Sequence, residues 1–257
     1  MTLTDRTIAA IRHTHDHLAE VVAGLSEDRL TGPSGATEWT VADVLSHLGS
    51  GFEINRYTLQ HATGDPSDAP SNDEVWDRWN ALPPAEQAAG FVDSSEAAVL
   101  LLEGLSPEQR LGTMVDLGFL PQPVPLATVL GMRLNEVALH GWDVDVALDP
   151  AARLTDEAAE LVLEHFATTM TFLLGFAGKP QGLPPTRLGI GHHTLVLSDD
   201  GIRMAEGVTD PSATFDGPVE AAVRLLSGRL APEHTPPGVR VSGNVTLDEL
   251  RAAFPGY

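Results

Sequence analysis

The chain has 257 residues, enough for one large domain or two of ordinary size. Its 36 acidic residues against 15 basic ones give a formal charge of −21, which disfavours nucleic acid and anionic membranes as partners. It contains no cysteine, so the protein itself offers no disulfide and no thiolate. Any sulfur chemistry therefore needs a thiol that arrives on a small molecule.

The N-terminus and the hydropathy pattern indicate where the protein resides. The opening run MTLTDRTIAAIRHTHDH lacks the basic-then-apolar layout of a signal peptide. No stretch approaches the roughly eighteen apolar residues of a membrane-spanning helix. We therefore expect a cytoplasmic protein that is a monomer or a small homo-oligomer, without a membrane or nucleic-acid partner.

The first half of the chain shows the spacing of apolar residues that is typical of helices. Thr40 can cap one of them, with Asp43 three residues later as in a capping box. Pro83 and Pro84 interrupt another, because proline removes a helical donor. The predicted helices cover about 3–25, 41–60, 73–105 with that interruption, and 127–148. Four such helices with moderate loops predict an antiparallel four-helix bundle over residues 1–150.

The second half has a different texture. A helix is predicted over about 155–175, and after Pro180 the chain becomes a series of short β-like runs with turn residues between them. These runs are TRLGIG, TLVLS, GIRMAE, SATFDG and VRVSGN. Two helical patches lie among them, at about 218–228 and 246–254. The pattern predicts a small α+β domain over 151–257, and so an α+β chain whose bundle comes first.

The run RLNEVALHGWD on the last bundle helix carries a possible metal site. Glu136 and His140 are four residues apart and so lie on one helix face, where they can chelate a metal inside a bundle. Asp143 could accept the free imidazole N–H of His140, and Arg133 lies near the same stripe, so both are expected just outside the ligands. The alternative is an ordinary ion pair on the helix surface.

A metal needs a third ligand, and a facing bundle helix is the place to look for one. His47 lies beside the apolar side of the helix that Thr40 caps. A lone histidine in such a position is more often a hydrogen-bonded core residue than a ligand.

These residues carry a resemblance to the mycothiol-dependent maleylpyruvate isomerase family, whose members join a DinB-like metal-binding bundle to a sterol-carrier-like domain. EWTVADVLSHLGS resembles the family's Trp-Thr-Val helix start and its metal-binding His-Leu. RLNEVALHGWDVDVAL resembles its Arg-x-x-Glu-x-x-x-His-x-x-Asp segment. The second half, including LLSGRL and VRVSGN, resembles the C-terminal domain more loosely.

The resemblance implies that His47, Glu136 and His140 hold a divalent metal, with zinc favoured, and that Trp39 and Asp143 are framework positions. It also implies Arg229 as a catalytic arginine reaching the active site from the C-terminal domain. The function implied is a mycothiol-dependent isomerase or S-transferase acting on a small electrophilic substrate that bears a carboxylate. Three protein ligands with an open coordination position fit catalytic zinc.

Two alternatives come from other functional classes. The same open position could activate water, which would make the protein a metal-dependent hydrolase. The sterol-carrier resemblance could instead indicate a non-catalytic protein that binds lipids or other small molecules.

Two further features favour ordinary structural roles. The run HTHDH, with His13, His15 and His17, is expected on a solvated helix face rather than around a second metal. Trp76 and Trp79 could line a substrate pocket, but core packing is the simpler interpretation.

Overall fold

The computed structural model describes residues 1–65, 68–180 and 182–256. The chain divides into two compact units, Met1–Asp149 and Pro150–Tyr257. The first unit is helical apart from one short strand pair, and the second contains a five-stranded sheet. The predicted α+β fold class, with the helices first and the sheet domain second, is confirmed. No helix within the described ranges is long and apolar enough to cross a membrane.

The first unit is built on four long helices and shorter connecting elements. The elements are α1 (Leu3–Ala23), α2 (Glu27–Leu30), α3 (Val41–Ala62), α4 (Asn72–Asn80), α5 (Pro84–Glu103), α6 (Pro107–Gly112), β1 (Met114–Val115), β2 (Val124–Pro125) and α7 (Leu126–Leu148). Helix α1 packs against α5 and α7, and α3 packs against the same two helices, so the four long helices close a ring of contacts. The apolar sides of these helices form the core of the unit.

The start of α3 follows from its capping residues, as predicted. The Thr40 hydroxyl accepts a hydrogen bond from the Asp43 amide at 3.1 Å, and the Asp43 carboxylate accepts one from the Thr40 amide at 2.9 Å. Such a cap satisfies two otherwise unpaired donors and stabilises a helix by about 1 kcal/mol. Because Val44, Leu45 and Leu48 are fully buried, the capped helix is held in one rotation against the core.

The proline break in the third predicted helical region separates two helices, α4 and α5. Pro84 occupies the first turn of α5, where its missing N–H costs nothing because that donor has no partner within the helix. The connection before α7 contains the short antiparallel pair of β1 and β2. The short helices α2 and α6 were not predicted.

The second unit contains four α-helices in its described part, one 3₁₀ turn and a mixed sheet. The elements are α8 (Asp156–Ala167), α9 (Leu174–Ala177), β3 (Thr186–Ile190), β4 (His193–Ser198), β5 (Gly201–Glu206), β6 (Ala213–Asp216), α10 (Val219–Leu226), a 3₁₀ turn (Pro232–His234), β7 (Arg240–Gly243) and α11 (Leu247–Ala253). The strand order is β5-β4-β3-β6-β7, with β3 and β6 parallel and the other neighbours antiparallel. All five predicted β-like runs form strands.

The predicted helix over 155–175 is wrong in its second half. Helix α8 ends at Ala167, and only the single turn of α9 follows. Two consecutive threonines, Thr168 and Thr169, follow the end of α8, and β-branched residues are stiff in helices. The carbonyl of His165 accepts the amides of Thr168, Thr169 and Met170, which closes the helix in a tight turn.

Candidate metal centre

Three side chains from two facing helices of the first unit meet at one point. His47 comes from α3, and Glu136 and His140 come from adjacent turns of α7. One ligand atom from each lies within 4.8 Å of the other two. The structure therefore brings together the three residues that the sequence analysis proposes as metal ligands. Among the described residues, this is the group of His, Asp and Glu side chains with the geometry to hold an ion.

The Glu136 carboxylate lies between the two imidazoles. Its Oε2 is 3.0 Å from Nε2 of His47 and 3.7 Å from Nε2 of His140. Burial alone would raise the pKa of Glu136, but the hydrogen bond from His47 and the charges of His140 and Arg133 outweigh burial and lower it to about 2. The carboxylate is therefore ionised at neutral pH and available as a ligand.

Asp143 fixes the orientation of His140 from behind. Its Oδ2 lies 2.9 Å from Nδ1 of His140, and its side chain is fully buried. Because a carboxylate accepts, Nδ1 is the nitrogen that donates to Asp143, and Nε2 is the nitrogen that faces Glu136 and His47. Histidines that bind metals commonly have such a carboxylate behind them. Asp143 thus lies where the sequence analysis expects it.

Trp39 covers the two imidazoles from the loop before α3. Its ring stacks on that of His140 with centroids 5.7 Å apart, and its centroid is 5.2 Å from that of His47. The loop itself is held against α7, because the amide of Gly35 donates to the carbonyl of Asp143 at 2.7 Å. A Cβ on Gly35 would lie 2.6 Å from Val146, so only glycine allows the loop this close.

A cavity of about 550 Å³ opens beside the three residues, within the first unit. This volume is within the usual range for small-molecule sites. His47 and Glu136 form part of its wall, and the rest comes from α3, α4, α7 and the segment 116–119. Trp76 lies in this wall and is partly exposed, whereas Trp79 is buried in the core and donates to Glu53 at 2.8 Å. Trp76 therefore lines a pocket, and Trp79 belongs to the core.

Arg133 lies in the wall of the cavity rather than immediately behind the ligands. It is 6% exposed, and its guanidinium carbon lies 4.8 Å from the centre of the Phe52 ring. Sequence reasoning placed it near the ligand stripe but gave no signal for the cavity, because several elements distant in sequence form that wall.

Arg229 belongs to the second unit, in the turn after α10. Its Nη1 donates to the carbonyl of Ser227 at 3.1 Å. Its role as a substrate-binding arginine stays a prediction.

The histidines of the HTHDH run make other contacts. His13 and His17 are exposed, as expected, and His17 lies 2.9 Å from the carboxylate of Asp145. His15 differs from the expectation of a solvated face: it is buried, with Nδ1 2.7 Å from the Ser95 hydroxyl. His15 lies on the side of the helix that faces α5, whereas His13 and His17 lie on the exposed side.

The family model of the mycothiol maleylpyruvate isomerase N-terminal domain matches residues 11–145, just over half of the chain. The matched segment contains all three proposed ligands, together with Trp39, Arg133 and Asp143.

Similar proteins are found both among sequences and among solved structures. The uncharacterized proteins MT0763 and Rv0738, from two strains of Mycobacterium tuberculosis, are each 27% identical to this chain over 182 residues, covering 69% of this chain and 84% of the relative. A crystal structure of the mycothiol-dependent maleylpyruvate isomerase aligns with a TM-score of 0.61 at 20% identity, covering 95% of both chains. A structure of a histidine-to-alanine mutant of the mycothiol-dependent maleylpyruvate isomerase aligns with a TM-score of 0.63 at 18% identity and the same coverage. At these identities the likeness shows a shared fold.

Proposed function

Because this chain belongs to the mycothiol maleylpyruvate isomerase N-terminal domain family, as its sequence predicts, we propose that it is a metal-dependent enzyme that uses mycothiol. The reaction is isomerisation or S-transfer on a small electrophilic substrate that bears a carboxylate. The observation that carries the proposal is the convergence of His47, Glu136 and His140 at the edge of a cavity of about 550 Å³.

The donor set fits a divalent ion, and zinc in particular. Zinc binds imidazole nitrogens and carboxylate oxygens at about 2.0–2.2 Å, so tetrahedral ligand atoms lie roughly 3.3 Å apart. The three donors here already lie within 4.8 Å of one another, and small side-chain rotations close the difference. Two neutral imidazoles and one carboxylate leave the ion a net charge of +1 and an open coordination position.

A divalent ion at this position would favour the thiolate form of a bound thiol, a nucleophile whose reversible addition to a conjugated double bond permits isomerisation and whose retained addition gives a conjugate. The chain contains no cysteine, so the sulfur must come from outside. Other residues of the chain orient the ligands. Asp143 keeps Nε2 of His140 directed at the site, and Trp39 covers the two imidazoles on one side.

The cellular setting follows from the same proposal. The strongly acidic composition supports a small-molecule enzyme without nucleic-acid or membrane partners. A cytoplasmic monomer or small homo-oligomer is part of the proposal.

Metal analysis and an assay of thiol-dependent turnover together test the proposed function. We expect the purified protein to hold about one zinc per chain, and His47→Ala or His140→Ala to abolish both zinc uptake and mycothiol-dependent isomerisation of maleylpyruvate. His17→Ala is the matched control, because it removes an exposed histidine whose partner is Asp145.

Three outcomes separate the alternatives. Zinc uptake that is unchanged in His140→Ala would refute the site. Zinc-dependent turnover that needs no thiol would instead indicate a hydrolase with activated water. Turnover of other electrophiles by S-transfer, with maleylpyruvate inert, would keep the thiol chemistry and change the substrate.

A further inference from the structure

Arg133 is a buried cation without the partner that such a cation normally has. Its side chain is 6% exposed, yet its Nε makes no hydrogen bond to any residue within the described ranges. Buried arginines are nearly always paired, because leaving a charge unpaired away from water costs several kcal/mol. Here the identified interactions of the guanidinium are its position over the Phe52 ring and the charge of Glu136.

The packing around Arg133 preserves space for this guanidinium. A Cβ on Gly51 of α3 would lie 2.4 Å from Nη1 of Arg133, so any larger residue there would displace the head group. The same two residues line the cavity of about 550 Å³, together with Asn55 and Thr58 of α3. A planar group with five donors therefore lies at the wall of a cavity large enough for a small molecule.

The position of Arg133 along α7 relates it to the proposed metal site. Arg133 precedes Glu136 by three residues, which places it roughly 4.5 Å further along the helix axis on nearly the same face. A carboxylate bound there would lie a few bonds from a substrate carbon that faces a thiolate at the open coordination position.

We propose that Arg133 is the residue through which this cavity binds a carboxylate of the substrate, by a bidentate contact from its guanidinium. The inference rests on the proposed function, and it assigns the carboxylate contact to the first unit rather than to Arg229. A carboxylate in the cavity would pair with the buried charge of Arg133 in the planar geometry that guanidinium prefers. The cation would also allow a protein with a charge of −21, and with Glu136 and Asp116 in this wall, to bind an anion here.

The test is calorimetric binding of fumarate and of its uncharged diamide, fumaramide, to the zinc-loaded full chain without thiol. Arg133→Gln is expected to weaken fumarate binding about 10- to 100-fold, as expected for lost hydrogen bonds to a charged group. Fumaramide binding is expected to be equal in wild type and Arg133→Gln. Arg78→Gln is the control, because it removes an equal charge from a side chain that pairs with Glu53 and does not line the cavity.

Arg133→Lys keeps the charge and most of the packing. It serves as the test of the carboxylate contact if circular dichroism shows that Arg133→Gln does not fold. It is expected to lose several-fold in fumarate affinity, because lysine cannot make the bidentate contact. Fumarate affinity that is unchanged in the folded Arg133 variants would overturn the inference. If only Arg229→Gln loses fumarate affinity, the carboxylate contact belongs to the second unit.

Failure of the inference and failure of the proposed function give different results. An Arg133-dependent carboxylate site in a protein without thiol-dependent turnover would leave the inference standing and remove the reaction. Mycothiol-dependent turnover with Arg133-independent fumarate binding would leave the proposed reaction standing and overturn the inference about Arg133.

Discussion

Replacing Asp143 with asparagine tests whether the carboxylate behind His140 tunes the metal site. The two side chains have the same shape, so the fully buried position needs no repacking. The 2.9 Å contact to Nδ1 of His140 loses its charged acceptor. Removing such a supporting carboxylate typically lowers metal affinity 10- to 100-fold, or about 1.4–2.8 kcal/mol.

The assay is zinc affinity by competition with a chromophoric chelator at neutral pH. Asp145→Asn is a matched control on the same helix, because Asp145 also lies 2.9 Å from a histidine, His17, that is not part of the site. We expect Asp143→Asn to weaken zinc binding by at least 10-fold and Asp145→Asn to change it less than 2-fold. Equal affinities for wild type and Asp143→Asn, in a protein where His140→Ala loses zinc, would refute the positioning role.

Three further changes test the framework of the first unit. Gly35→Ala places a Cβ 2.6 Å from Val146 and should cost about 1–3 kcal/mol in urea unfolding, whereas Gly112→Ala, with open space around it, should cost nothing measurable. Thr40→Ala removes the cap of α3 and should lower the free energy of unfolding by about 1 kcal/mol, with a corresponding fall in Tm. Burial lowers the pKa of His15, despite the opposing charge of a nearby glutamate, so the unfolded chain binds this proton more readily. The free energy of unfolding of the wild type should therefore fall as pH drops through about 6.5. Because His15→Gln lacks this titrating group, the difference in free energy of unfolding between the variant and wild type should narrow between pH 7 and pH 5 in urea titrations.

The parts of the site that lie within one helix could be predicted from the sequence. The pairing of Glu136 with His140, and the position of Asp143 behind it, follow from the helical repeat alone. The start of α3 follows from the Thr40 capping box, which is equally local. His47 is different, because it is 89 residues from Glu136 and their 3.0 Å contact depends on how α3 faces α7. The need for a third ligand on a facing helix pointed to His47, and the resemblance to a known family supplied its pairing with Glu136.

Features created by packing between distant segments could not be predicted. The buried site of Arg133 requires Gly51 to face it across two helices, and no periodicity in either segment encodes that meeting. The contact of Trp39 with both imidazoles depends on a loop tied to α7 through Gly35. The error over 155–175 had a local cause, since apolar spacing persisted past two threonines that end the helix.

The charges around the candidate centre indicate what it is suited to bind. With both imidazoles neutral, Glu136 and Asp143 contribute two negative charges and Arg133 one positive charge, so the protein alone presents a net charge of −1. A divalent ion turns this into +1, which one bound thiolate would neutralise. A second anion, the substrate carboxylate, would then have no favourable net charge at the metal itself, and direct ligation would also compete with the thiol for the open position. A guanidinium about one helical turn away would remove this competition, because it would give the carboxylate its own cation and leave the coordination position to sulfur.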